Sequence, residues 1–189
     1  MNFSNLSNFN PVNIYNHFKT ITEHRHMVIR HCFMAGIPIQ GLFHDLSKYC
    51  PQEFIPGVLH YKGNMSPNVG ERESYGYSKA WMHHQGRNKH HFEYWADYNN
   101  DVKRKIPVKM PLRFVVEMFC DRVAASKIYL KDKYSDQMPY EYFKANKDYY
   151  DMHDETREFL GRLLYMLSEK GEKYTFSYIR FYQLTNKDY

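Results

Sequence analysis

The sequence predicts an all-α fold, a compact single-domain helical bundle, and three observations carry that prediction. Asn10-Pro11 opens and Gly36-Ile37-Pro38 closes a long segment whose apolar residues recur at helical spacing. The stretch from Pro111 to Lys131 is apolar on two faces, as a central helix must be. Asp154 to Lys170 repeats the helical pattern and stops at Gly171. Nothing in the chain reads as a pair of partner strands.

Residues 1–10 are rich in Asn and Ser and predict an irregular arm, with one domain over 11–189. The first helix is expected over 11–35, with Asn10 as N-cap and Pro11 at the first helical position. Ile14, Phe18, Ile21, Val28, Cys32 and Ala35 form its apolar stripe, with His24 and His31 at one edge and His26 at the other. Arg25 falls near the centre of the stripe, which asks for a buried acidic partner or an anion. A short helix over 39–46 ends in His44-Asp45, and Cys50-Pro51-Gln52-Glu53 restarts a helix that lasts to about His60. Residues 62–70 form a Gly/Asn/Pro loop able to cover a site. Helices are expected over 74–84 and 90–98, broken by Gln85-Gly86-Arg87-Asn88, and a basic connection follows over 99–109.

The helix from Pro111 carries Leu112, Val116, Phe119 and Val123 on one face and Phe114, Met118, Ala125 and Ile128 on the other. Asp121 lies within the second stripe. Burying an isolated charge costs several kcal/mol or more, so Asp121 either pairs with a buried cation such as Arg25 or ligates a metal. Tyr140 to Asn146 forms a short helix. The Tyr/Phe-rich stretch Thr175 to Leu184 is read as helix because no partner strand exists for it.

The totals exclude several classes. With 189 residues and 43% hydrophobic content, the chain can bury a core of its own. Lys plus Arg is 26 against 21 for Asp plus Glu, and the resulting +5 suits an anionic substrate without demanding nucleic acid. The basic triplet Lys103-Arg104-Lys105 reads as a solvated loop first, and as a nucleic-acid contact only in a non-enzymatic binding module. The 18 Tyr and 13 Phe read as core packing before base stacking. Three cysteines, Cys32, Cys50 and Cys120, lack CxxC spacing, which argues against a disulfide framework or a closed structural zinc and for a reducing compartment. No signal-peptide pattern and no apolar run of about 20 residues is visible, so a cytoplasmic protein with no membrane partner is expected.

The chemistry concentrates in His44-Asp45-Leu46-Ser47-Lys48. An adjacent imidazole and carboxylate can bind one divalent ion, through a neutral nitrogen and an oxygen. Lys48 follows the carboxylate by three residues, one turn on if the helix continues, where its ammonium reaches a phosphate held by that ion. Eight of the eleven histidines fall in two windows: His24, His26, His31 and His44, then His83, His84, His90 and His91. Neutral imidazoles gather around metals, and cationic neighbours around phosphates. His31 and His60 read as satisfied core residues.

The order His24, His44-Asp45, distant Asp121, all on helices, resembles the HD superfamily of metal-dependent phosphohydrolases. In that family a His, a His-Asp pair and a C-terminal Asp on separate helices bind one metal, and His44 to Lys48 matches its frequent His-Asp-x-x-Lys form. The segment His83-His84-Gln85-Gly86-Arg87-Asn88 is similar to the His-His-Glu segment of its two-metal branch. Glu23-His24 through Pro38, Gly41 through Lys48, and His83 through Trp95 resemble more closely a family of small uncharacterised HD-like proteins of bacteria and phages, over about residues 20–165. The two-metal branch spaces its later histidines more widely than His84 and His90, has Glu where Gln85 stands, and carries a Gly-Tyr-Pro absent here. Cyclic dinucleotide cleavage is therefore not implied, and a second metal is left open.

The resemblance implies that His24, His44, Asp45 and Asp121 hold a divalent Mn, Fe, Co, Ni or Mg ion with open positions. The choice of His24 over His26 rests on it. His83 and His84 are then a fifth ligand, ligands of a second ion, or a proton relay. Lys48, Arg87, Asn88 and His91 bind substrate phosphate, and Lys48, Asp45 and His90 take catalytic roles. The expected activity is hydrolysis of a phosphomonoester or phosphodiester, a small phosphorylated substrate of nucleotide type. The alternatives are an HD-type di-iron oxygenase and a non-enzymatic nucleotide- or nucleic-acid-binding module.

Overall fold

The computed structural model describes residues 9–186 and 189. The irregular arm expected over 1–10 lies, apart from its last two residues, outside the described residues. Helix α1 (Pro11–Ala35) begins and ends where its caps require. The Asn10 side chain accepts from the Asn13 amide at 2.9 Å, and Gly36 closes the helix in the left-handed region at φ 85°. Its buried line differs from the apolar stripe: it runs His17, Ile21, His24, Val28, His31, Ala35, while Phe18 stays 48% exposed. Histidine and aliphatic positions alternate at gaps of four and three, so one helical face serves both a core and a polar centre.

Helix α2 (Pro38–Phe43) stops one residue before the His-Asp pair instead of containing it. His44 is extended (φ −55°, ψ 130°) and Asp45 is left-handed (φ 52°, ψ 26°). A 3-10 turn, Leu46–Tyr49, then leads into α3 (Pro51–Leu59), α4 (Pro67–Tyr75) and α5 (Lys79–Gln85). The single helix expected over 74–84 is thus split, because Gly76 (φ 79°) ends α4 and Ser78 caps α5. Buried Glu71 fixes that start: it accepts from the Ser78 hydroxyl and from the amides of Lys79 and Ala80.

The helix expected over 90–98 does not form. A 3-10 turn at Phe92–Tyr94 passes into a hairpin of β1 (Ala96–Asn99) and β2 (Arg104–Pro107), paired Ala96 to Pro107 and Asn99 to Arg104. Asn99 explains it: its side-chain oxygen accepts from the amides of Asp101 and Val102, an Asx turn that outcompetes helix continuation. The Lys103-Arg104-Lys105 triplet sits exposed at this hairpin.

Helix α6 (Leu112–Leu130) is buried almost all round and packs along α1. Helices α7 (Met138–Asn146) and α8 (Asp154–Tyr178) pack on each other and on α6. Gly171, at φ 75° and ψ 173°, breaks α8 where the sequence places its stop, and a second helical stretch runs on through Ile179–Gln183 to Leu184–Asn186. Val28 and Cys32 of α1, Val116, Phe119 and Val123 of α6, and Leu160, Leu163, Leu164 and Leu167 of α8 form one apolar core. Beside that core, on the faces of α1 and α6 turned toward the 44–45 and 84–91 segments, the buried side chains become histidine and carboxylate. Among the described residues no helix is long and apolar enough to cross a membrane.

Candidate metal centre

Two groups of potential ligands meet at Asp45. The first is His24 of α1, His44, Asp45, and Asp121 of α6; the second is Asp45, His84 from the last turn of α5, His90 and His91. Within each group one donor atom per residue lies within 4.8 Å of all the others. Asp45 Oδ2 faces the first group, 3.4 Å from His44 Nε2 and 4.0 Å from His24 Nε2. Asp121 Oδ1 stands 2.9 Å from His24 Nε2 and 3.7 Å from His44 Nε2. Asp45 Oδ1 faces the second group, 3.3 Å from His84 Nε2 and 3.4 Å from His90 Nε2. One carboxylate therefore divides its oxygens between two donor sets.

These separations fit a cation. Bonds of about 2.1 Å put neighbouring ligand atoms roughly 3.0 Å apart and opposed ones roughly 4.2 Å apart. His44 Nε2, His90 Nε2, His91 Nε2 and Asp45 Oδ1 are buried without a hydrogen-bond partner, while His24 Nε2 and Asp45 Oδ2 meet only Asp121 and Lys48. Buried polar atoms are almost always paired, so four orphans converging on one place call for a ligand that accepts lone pairs. Mixed nitrogen and oxygen donors suit Mn, Fe, Co, Ni or Mg and do not choose among them.

The geometry depends on local backbone. Arg25, one residue past His24, gives its Nε to the His44 carbonyl at 3.1 Å and a terminal nitrogen to the Leu42 carbonyl. It thereby serves the exposed carbonyls at the end of α2 instead of the acidic partner or anion expected for it. That grip and the Lys48 amide on the Asp45 carbonyl (3.0 Å) hold Asp45 in its left-handed conformation. Such a conformation costs about 1 kcal/mol or more in a non-glycine residue and persists where surroundings enforce it.

Two glutamates missed in the sequence orient the imidazoles. Glu117 Oε1 lies 3.0 Å from His44 Nδ1 and 3.2 Å from His90 Nδ1, tying the two donor sets together from behind. Glu53 takes His84 Nδ1 on one oxygen at 2.7 Å and His83 Nδ1 on the other at 2.6 Å. Each accepts an N–H, which fixes the tautomer that leaves Nε2 free to ligate. Glu117 lies one helical turn before Asp121, so the face that Asp121 marks also contains it. Glu53 stands in the first turn of α3, where an acidic residue reads only as a partner of the helix dipole.

Electrostatics agree with a cage of lone pairs. Burial opposes the charge on Asp45 and on Asp121, but His44 and Lys48 beside the former, and His24 and His44 beside the latter, hold both carboxyls well below their usual range. Burial likewise opposes protonation of His44 and His84, yet Asp45 foremost raises the pKa of each. Burial dominates for His24 and His91, whose values fall. Lys48 Nζ lies 2.7 Å from Asp45 Oδ2; burial disfavours its charge, but Asp45 and then Asp121 more than offset it, so the ammonium persists. The four carboxylates of Asp45, Asp121, Glu53 and Glu117 outnumber the Lys48 ammonium and the two imidazoles, His44 and His84, whose protonation they favour, and a divalent ion would neutralise the remainder.

The other expected site residues are distributed as follows. His83 turns away from Asp45 and shares a smaller group with Cys50 and Glu53. His91, expected on substrate phosphate, stands with the second donor set, and so does His90. Asn88 gives its amide to Ser47 Oγ at 2.9 Å and to the His84 carbonyl at 2.8 Å, tying the end of α5 to the turn after Asp45. Arg87 is exposed, with its guanidinium near the His83 carbonyl. His26 is exposed on the far side of α1, which leaves His24 as the ligand from that helix. The profile of DUF5662, a family of unknown function, matches residues 13–166, and the protein belongs to that family. No curated protein and no solved structure matches the chain.

Proposed function

We propose that the protein is a metal-dependent phosphohydrolase acting on a small phosphorylated substrate. One observation carries the reading: a lysine ammonium rests on the carboxylate shared by two sets of potential metal ligands. His24, His44, Asp45 and Asp121 would hold one divalent ion, and Asp45, His84, His90 and His91 a second. Such an ion supplies Lewis acidity toward a phosphoryl oxygen and lowers the pKa of water next to it.

The chain's own groups do the rest. Lys48 holds a phosphate oxygen and offsets the negative charge that grows there, and its raised pKa keeps it cationic at neutral pH. Glu53 and Glu117 hold the imidazoles against rotation, so the donor atoms need no reorganisation when a substrate arrives. The buried setting keeps these charges strong.

The test is elemental analysis of protein purified without chelators, followed by phosphate release from a panel of phosphomonoesters and phosphodiesters with added manganese or cobalt. Bound transition metal and phosphate release, both lost in Asp45→Ala, are expected. Turnover retained in Asp45→Ala sinks the reading. The division of Asp45 between two donor sets also favours a second reading, an HD-type di-iron oxygenase. Two irons per chain with oxygen consumption and no phosphate release would select it.

A further inference from the structure

Beside the metal centre lies a small cavity of about 60 Å³, bounded by Lys48, His17, Tyr61, Ser66 and Tyr129 among others. Lys48 belongs to both, so a phosphate on the ammonium would extend its organic part into this space. Three features describe what the space accepts. First, it is small: pockets for drug-sized ligands run from about 300 Å³ upward. At about 10–15 Å³ for each water-sized atom, the space takes on the order of four to six non-hydrogen atoms, the near part of a hydroxylated chain and not a heterocyclic base in addition.

Second, its walls are rich in hydroxyls whose protons are already committed. Thr20 donates its hydroxyl to the Asn16 carbonyl at 2.9 Å. The contact of 2.9 Å between Thr20 Oγ1 and the Tyr61 hydroxyl must then use the Tyr61 proton. Tyr61 is left as an acceptor, which an O–H of the ligand can satisfy. The Tyr129 and Ser66 hydroxyls also line the cavity, with Tyr129 within electrostatic reach of Lys48 and Asp121. Third, His17 is only 6% exposed, lines the cavity, and carries a buried Nδ1 with no partner. Its ring packs against Gly57, where a Cβ would come within 2.2 Å of Nε2, so the glycine is what admits the imidazole. A buried, unpaired polar nitrogen in a small cavity marks a place for a hydrogen-bonding ligand.

We infer that this cavity receives the hydroxylated carbon skeleton of a small sugar- or polyol-type phosphomonoester, rather than the nucleoside of a nucleotide. The inference rests on the phosphohydrolase reading for its chemistry and narrows the substrate of that same site. Tyr61 accepts from a ligand hydroxyl, His17 pairs with a second, and Lys48 holds the phosphate toward Asp45.

Ribose 5-phosphate and AMP test it, since they share a phosphorylated ribose and differ by the base. With the manganese-loaded full chain, kcat/KM for ribose 5-phosphate should exceed that for AMP by at least about tenfold. Tyr61→Phe should raise KM for ribose 5-phosphate about two- to tenfold, the weight of one hydrogen bond, with kcat little changed. A purely structural role for Tyr61 would lower kcat as well and overturns its assignment. Ser66→Ala, on the surface loop, repeats the measurement from the opposite wall. In parallel, the melting temperature of the metal-free chain is followed with ribose 5-phosphate, AMP and inorganic phosphate, and the first should stabilise most. AMP matching or exceeding ribose 5-phosphate in both assays overturns the proposal while leaving hydrolysis standing. Selective stabilisation by ribose 5-phosphate without phosphate release from any ester supports the cavity's ligand class and removes the hydrolase reading instead.

Discussion

The two donor sets that share Asp45 are built from different material. The first hangs on long helices: His24 comes from α1 and Asp121 from α6, whose packing against each other is the main seam of the core. The second takes His84 from the last turn of the short helix α5 and His90 and His91 from an irregular segment that follows. That segment is held by local bonds, among them the Asn88 amide on Ser47 and the Trp95 indole on the Lys89 carbonyl at 2.7 Å. Ligands on packed helices keep their positions because moving one means repacking the core. Ligands on a connecting segment can shift at the cost of a few hydrogen bonds. The difference teaches that the first set should bind its ion tightly and alone, and that the second is the one to load late and to adjust.

The largest test removes what the halves share. Asp45→Ala should strip both ions and bring turnover to background, read by elemental analysis and phosphate release. If one equivalent of metal survives, the oxygens of Asp45 are not divided as described. Next, single-sided changes should separate the halves. Asp121→Ala should empty the first set, whereas His91→Ala should leave one tightly held ion; equal losses from both variants would contradict independent building. Smaller effects belong to the supporting glutamates. Glu117→Gln should weaken both ions by about 10- to 100-fold, since it backs His44 and His90, while Glu53→Gln should weaken only the ion near His84. Competition titrations against a metal-sensitive dye would measure this.

The smallest effect is a proton count. His44 in one set and His84 in the other have raised pKa values, so each favours its proton more than a free imidazole does, whereas His24 and His91, with lowered values, favour the neutral form. Binding of each ion should therefore release protons, and affinity should fall as pH is lowered. Calorimetry in buffers of different ionisation enthalpy reads the number directly, and a value of zero would mean that the imidazoles were already neutral.

The first half of the centre was legible in the chain and the second only partly. Asn10-Pro11 and Gly36 are local signals that act through caps, so α1 came out with its true ends. His44-Asp45 announces itself as a dipeptide, and Asp121 as a charge inside an apolar stripe. The buried line of α1 did not follow hydrophobicity, because His17, His24 and His31 occupy positions that an apolar pattern leaves unassigned and Phe18 was counted in their place. Around His90 the helical pattern does not prevail, because the Asn99 side chain competes for backbone amides. On a helix, His90 and His91 would diverge by about 100°; on the irregular segment both reach one donor set. Glu53 and Glu117 carry no motif, and their roles exist only after folding brings three segments together.

The contact of Arg25 with the carbonyls of Leu42 and His44 has a mechanical consequence. Helix α1 contributes one ligand directly and, through the neighbouring guanidinium, steadies the backbone that bears two others. Rotating or sliding that helix would drag all three at once, so the assembly behaves as a fixed jaw. Any shift that admits or discharges a molecule then falls to the opposite side, residues 86–95, whose position rests on local hydrogen bonds.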